Sequence, residues 1–209
     1  GEALQLDLVF SDEDRKEHYD AIVRESERLS RLVDNVLDFA AIERGAKKYI
    51  FRPEDPYSLV LSTVETHREE LRQRGLEVEV DIDDDLPVVW VDREAIGQVV
   101  TNLLSNAAKY GNEGEWVGVA ARRDGENIII AVSDRGMGIP QEDLPYVFDN
   151  FFRSESKAVR RKKGTGIGLA IVRYIVEAHG GTITAASTPG SGATFTIQLP
   201  IAPPDEAGD

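Results

Sequence analysis

Asn102, Asn106, Lys109 and Tyr110 fall within TNLLSNAAKYG, a stretch whose apolar residues recur at helical spacing. Asparagine is a mediocre helix former, because its amide competes for nearby backbone groups. At i and i+4 the two amides share one helix face, with Cβ atoms roughly 6 Å apart. Amide oxygens are hard ligands suited to Mg²⁺, which keeps several waters and takes much of its shell from phosphates. Lys109 adds a point charge for a phosphate, and Tyr110 a ring able to cover a purine. Either asparagine alone reads as well as an ordinary capped or solvated amide.

Two glycine-rich stretches follow. In SDRGMGIP, Asp134 stands at the end of the apolar strand IIIAV, with Gly136 and Gly138 alternating just after it. Glycines there permit positive φ and close approach of a ligand, and a carboxylate beside an apolar wall can accept from an exocyclic amine. Alone, the pattern D-x-G-x-G is equally a structural turn. In KKGTGIGLAIVRYIVEAHGG, the segment Gly164, Thr165, Gly166, Ile167, Gly168, Leu169 opens a strongly apolar helix. Free N–H groups in its first turn, with the helix dipole, suit an anion such as polyphosphate; the alternative is a flexible hinge. The spacing is neither the Walker nor the Rossmann pattern. Between the two loops lie Phe148, Phe151 and Phe152, expected to form one packed aromatic cluster, then Arg153 and the basic run Lys157, Arg160, Arg161, Lys162, Lys163. A charge run is usually a solvated face, but this one sits inside an acidic protein and could act as a phosphate lid.

The elements that must carry these groups are legible in outline. The chain has 209 residues, a formal charge of −14 and no cysteine. That length can bury a real core. The charge argues against a general nucleic-acid binder, and disulfides and thiolate metal sites are excluded. No apolar run approaches the roughly 20 residues of a membrane span. The chain starts at Gly1, which suggests a fragment. From Asp14 to Arg44 there is no glycine or proline, and Ile22, Leu29, Val33, Val36 and Ala40 lie near a seven-residue repeat. That predicts a helix of roughly 45 Å with an apolar stripe in want of a partner, either in a dimeric helical bundle or on the following domain. GEALQLDLVF reads as the end of a preceding antiparallel helix. Beyond Lys47, we expect a strand over KKYIFRP, a helix over 58–74, strands LEVEVDI and VVWVD, and the asparagine helix capped by Asp92. A hairpin then turns at Asp124–Gly125, a helix spans 166–179, and two strands close the fold. This is an α+β chain with a helix layer on one mostly antiparallel sheet. Residues 1–45 form a helical segment, 46–200 the α/β sandwich and 201–209 a mobile tail.

NLLSNAAKYG, DRGMGIP, FDNFFR and GTGIGL, in this order, resemble the N box, first glycine box, F box and second glycine box of sensor histidine kinases of bacterial two-component systems. The resemblance covers nearly the whole chain. It implies a Bergerat-type ATP-binding fold, shared with gyrase-type ATPases, after the second helix of a truncated dimerisation hairpin. By position it makes Asn106 the Mg²⁺ ligand, with Asn102 supporting it. Lys109 would contact phosphate, Tyr110 cover adenine, and Asp134 accept from the adenine amine. Ile139, Leu169 and Thr194 would complete the base pocket, and Arg153 would reach the γ-phosphate. The implied cofactors are ATP and Mg²⁺, and the implied partners a response-regulator receiver domain and a second copy of the chain. The implied location is cytoplasmic, with any membrane anchor upstream and no membrane contact by this segment.

Two departures bear on mechanism. Gyrase-like ATPases carry a glutamate four residues before the metal asparagine, where this chain has Asn102, which cannot act as a base. That argues for phosphoryl transfer over rapid hydrolysis. The family's acceptor histidine lies in H-E-x-[RK]-x-P, and none of His18, His67 and His179 has that context. His18 is expected to be solvated, and His67 and His179 to be structural. The acceptor is thus expected to have been cut away, leaving a chain that does not autophosphorylate at the usual place. The alternatives are a nucleotide-binding regulatory module acting by dimerisation and an anti-sigma-type serine kinase.

Overall fold

A computed structural model describes residues 12–111, 115–154, 159 and 164–202. The expected helix end in 1–10, the basic residues Lys157 and Arg160 to Lys163, and 203–209 lie outside the described residues. Helix α1 spans Asp12–Glu43. Tyr19, Ile22, Val23, Val33, Val36 and Leu37 stand exposed along it, whereas Phe39 is buried. The Phe39 ring meets Phe151 edge-on at 5.5 Å and Tyr174 at 6.3 Å. Among the described side chains the apolar stripe is therefore divided: Phe39 at its C-terminal end packs on the following domain, and the exposed residues named above face outward.

The strand expected over 47–53 is largely replaced by an irregular docked segment, and only Arg52–Glu54 (β1) pairs with Val89–Val91 (β3). Tertiary contacts explain the loss. The rings of Tyr49 and Phe51 pack on His179 at 5.1 and 4.8 Å, and the Ile50 N–H donates to the Asp92 carboxylate at 2.8 Å. Helix α2, Pro56–Gln73, starts where Asp55 accepts from the Tyr57 and Ser58 N–H groups, with Pro56 in the first turn. Helix α3, Arg93–Tyr110, is capped by Asp92, which accepts from the Ala95 N–H at 3.0 Å. Its buried residues Ile96, Val99, Val100, Leu103, Leu104 and Ala107 follow the three- and four-residue spacing of one face.

The main sheet has the order β2-β4-β5-β7-β6, built from Glu77–Ile82 (β2), Trp116–Asp124 (β4), Asn127–Asp134 (β5), Thr182–Ser187 (β6) and Ala193–Pro200 (β7). Only β2 with β4 is parallel; the other three pairings are antiparallel. The β4–β5 hairpin turns at Gly125, φ +58°, and is closed by the Asp124–Asn127 pair. On one sheet face, Val117, Val119, Ile128, Ile130, Val132, Phe195, Ile197 and Leu199 are buried in the same core as the helix layer. That layer includes helix α4, Gly168–Ala178. It starts two residues later than expected because Gly166 has φ +75°, which no helix can contain. The segment after β7 is not wholly loose: the Ile201 N–H donates to the Glu126 carbonyl at 2.9 Å and its side chain packs on the core. Among the described residues, no helix is long and apolar enough to cross a membrane.

Candidate nucleotide site

The site forms where α3, the loop after β5 and the N-terminus of α4 converge. Asn102 is the meeting point of the two helices: its Oδ1 lies 3.8 Å from where a Cβ on Gly168 would stand. Its Nδ2 is buried and finds no acceptor among the described residues. A buried amide left in that state costs on the order of 1–3 kcal/mol, so a ligand acceptor at this place has energy to gain. Among the described residues the α4 N-terminus has no side-chain cap, which leaves its first-turn N–H groups for a ligand too. Asn106 follows one turn along the same helix, half-buried.

Lys109, Tyr110 and Gly164 form a second group. The Lys109 ammonium donates to the Tyr110 hydroxyl at 2.7 Å and lies 4.5 Å from the ring centroid. A side chain at Gly164 would overlap that ammonium, so the second glycine loop passes directly over Lys109. Burial raises the Tyr110 phenol above its usual range, and the nearby Arg153 charge opposes the rise. Arg153 also donates to the Val159 carbonyl at 3.2 Å. Two cations thus flank one tyrosine beneath the loop that leads into α4, an arrangement suited to a polyphosphate.

The base-recognition end centres on Asp134. Its Oδ1 accepts from the Gly136 N–H at 2.9 Å. Burial pushes its carboxyl upward, against hydrogen bonds from the Gly136 and Ala193 backbones. A Cβ on Gly136 would overlap the Tyr110 carbonyl, and one on Gly111 would overlap the Asp134 side chain. Gly138, φ +67°, abuts the Thr188 carbonyl. The Ile139 N–H donates to the Ser187 hydroxyl at 2.8 Å, which in turn donates to the Gly192 carbonyl at 2.6 Å. Ser187, Gly192 and Gly111 were not singled out from sequence, though glycine in the S-G preceding β7 was an available signal.

Four sequence-based expectations change. Thr194 pairs with Ser133 and shares a hydrogen bond with its hydroxyl at 2.9 Å, so its side chain is on the sheet face opposite Asp134. Ala193 takes the place beside Asp134. Ile167 is buried in the core, leaving its backbone N–H, which meets the Thr165 hydroxyl at 3.4 Å, as its contribution to the loop. Leu169 and Ile139 are half-buried against the core. The three phenylalanines do not form one cluster. Phe148 packs on Phe195 at 6.2 Å, Phe152 on Tyr146 at 5.9 Å, and Phe151 reaches out to Phe39. Phe151 adopts φ +62°, and the Gly166 backbone wedges against its carbonyl carbon. Among the histidines, His67 bonds Thr101 at 3.0 Å and His179 is buried, while His18 is half-buried where a solvated ring was expected.

The helix layer over a mixed sheet, with amides, paired glycine loops and a strand-end carboxylate at one edge, defines an ATPase-type domain. Residues 91–203 match the family of histidine kinase-, DNA gyrase B-, and HSP90-like ATPases, and the chain belongs to it. Within that family its relatives are sensor histidine kinases. The sensor-like histidine kinase SenX3 of Mycobacterium tuberculosis is 35% identical over 86% of this chain and 43% of its own length. The chain therefore spans less than half of that relative. Among solved structures, Acinetobacter baumannii histidine kinase AdeS matches with a TM-score of 0.73 and 25% identity, over 95% of this chain and 89% of that one. Full-length ShkA in complex with AMPPNP matches with a TM-score of 0.75 and 28% identity, over 94% of this chain and 41% of that one.

Proposed function

We propose that this chain is the catalytic core of a sensor histidine kinase, which binds Mg-ATP and directs its γ-phosphoryl group to a histidine for relay to a response-regulator aspartate. The observation that carries the reading is the buried Nδ2 of Asn102, unpartnered among the described residues, on a side chain whose Oδ1 lies at the start of α4. Asp134 accepts from the exocyclic amine of the base, and Tyr110 covers the ring. Asn102 donates to a phosphate oxygen. Lys109 and Arg153 neutralise the phosphates, and the Gly164–Gly168 backbone wraps them. Asn106 holds the metal, and Mg²⁺, when bound, supplies charge neutralisation at the phosphate oxygens. Transfer forms a nitrogen–phosphorus bond to the acceptor imidazole and breaks the bond from Pγ to the bridging oxygen; the bonding electrons leave on ADP and the imidazole loses its proton. With Asn102 in place of a carboxylate base, the site favours a protein nucleophile over water.

His67 and His179 are engaged structurally and His18 lacks the acceptor motif, so the acceptor is proposed to lie outside this chain. The exposed α1 stripe fits a homodimeric bundle. The test uses γ-labelled Mg-ATP with this chain and a separately supplied helical domain bearing an acceptor histidine. Acid-labile label on the supplied domain, lost with Asn106→Ala, is expected. Nucleotide binding without label anywhere would instead favour a regulatory module.

A further inference from the structure

Trp116 opens β4 with its indole lying over Gly118, two residues along on the same sheet face; any side chain at Gly118 would overlap the ring. The indole N–H donates to the Glu79 carboxylate at 2.9 Å, which fixes the ring in its plane. The Arg135 guanidinium carbon sits 4.3 Å from the ring centroid. Arg135 immediately follows Asp134, so this stack anchors the side chain next to the base-recognition carboxylate.

Other anchors of this loop are close backbone contacts and the hydrogen bonds from the Gly136 N–H to Asp134 and from the Ile139 N–H to Ser187. Gly192, φ +88°, lies against the Asp134 carbonyl and the Arg135 Cα, and Gly136 lies against the end of α3. These contacts hold the path of the chain, the Gly136 N–H bonds the Asp134 carboxylate from one side, and the Arg135 side chain adds a tie to β4 on the other sheet face. Arg135 points to the open sheet face, away from Asp134, so it does not touch the base. Its only route to recognition is through its neighbour.

We propose that the Trp116–Arg135 stack, admitted by Gly118 and pinned by Glu79, orients the Asp134 carboxylate and thereby sets discrimination for a purine bearing a 6-amino group. Trp116 and Arg135 are positioning residues. The inference rests on the nucleotide-site reading above and adds a specificity determinant to it. The acceptor function of Asp134 is directional: a carboxylate turned away from the exocyclic amine loses that hydrogen bond while stacking and phosphate contacts persist.

The test compares dissociation constants for Mg-ATP and for its 6-deamino analogue, purine riboside triphosphate, by calorimetry. The wild type is expected to prefer ATP. Arg135→Ala should weaken ATP by about two- to fivefold, the range of an exposed cation–π contact, and leave the analogue within experimental error. Trp116→Leu should do the same, Trp116→Phe should keep most of the preference, and the double variant should be no worse than either single one. Simple loss of a positive charge near the phosphates would weaken both nucleotides alike, and that result would overturn the proposal. Undiminished preference for ATP in Arg135→Ala would overturn it too; this exposed position tests the idea even where a Trp116 variant folds poorly. Equal binding of both nucleotides by the wild type would remove the Asp134 assignment itself, and this inference with it.

Discussion

Replacing Asp92 tests how the segment before β1 is tied to the helix that carries Asn102 and Asn106. One carboxylate oxygen caps α3 through the Ala95 N–H at 3.0 Å, and the other holds the Ile50 N–H at 2.8 Å. Burial pushes the Asp92 carboxyl up, but the hydrogen bonds from Ile50, Ala95 and Glu94 and the His179 charge together hold it below its usual value. Loss of a helix cap costs about 1 kcal/mol. The bond from Ile50 is charge-assisted but open to solvent, so about 1 kcal/mol, below the usual range for charged partners, is appropriate. Asp92→Ala should therefore lose about 2 kcal/mol, a fall in Tm of about 4–8 °C for a chain of this size. Asp92→Asn keeps one acceptor and should lose about half as much. Urea denaturation at pH 7 with unchanged slope is the assay. A loss below about 0.5 kcal/mol in the alanine variant would refute the shared-carboxylate argument, as would equal losses in both. Because the folded carboxyl is the stronger acid, its contribution is present above the unfolded value of 3.8 and disappears as pH falls through the lower folded one.

His179 should give an acid-side slope of its own. Burial lowers its pKa, against the hydrogen bond to Ile175 and the Asp92 charge, and its Nε2 accepts from the Asp92 N–H, which requires the neutral ring. Stability should be intact above the unfolded value of 6.5 and decline as pH falls below it, until the folded ring also takes a proton. Urea midpoints that stay flat down to mildly acid pH would contradict this. Asn102→Leu should raise the stability of the nucleotide-free chain by about 1 kcal/mol by removing an unpaired buried amide, and abolish thermal stabilisation by Mg-ATP; melting curves with and without nucleotide decide it. Phe39→Ala should detach the end of α1 from Phe151 and Tyr174, read as faster hydrogen exchange over 36–43 with little change in the sheet. As pH is lowered, nucleotide affinity should begin to fall above the ordinary carboxylate value of 3.8, because Asp134, its carboxyl raised by burial, takes a proton and ceases to accept; Asp134→Asn should show no such fall.

The parts that sequence revealed are those governed by local chemistry. Asp92 followed by an apolar periodic run marks a helix start whatever surrounds it, and the bounds of α3 agree. The Asp124–Gly125 turn and the alternation in β5 are equally local. Residues 47–51 were misread because their backbone is claimed by Asp92 and their rings by His179, partners at distant positions that no window on the segment contains. Thr194 illustrates the sensitivity of strand phase: an offset of one residue moves a side chain to the other face. The bend at Gly166 is likewise set by close approach to the Phe151 and Phe152 backbones, which periodicity in LAIVRYIV does not record. The glycine loops were visible as composition, but which glycines pack on which neighbours is a property of the assembled edge.

The position of β7 between β5 and β6 has a consequence for synthesis. This strand, residues 193–200, leaves the ribosome after the other four yet occupies the interior of the sheet. Until it arrives, β5 and β6 each expose an unpaired edge, and the apolar face of the β4–β5 hairpin lacks Phe195, Ile197 and Leu199. The nascent chain therefore holds its sheet in two unjoined pieces, a state prone to wrong pairing. Premature stops between residues 188 and 193, which remove β7 alone, should consequently yield insoluble product, even though they spare every residue assigned to the phosphates.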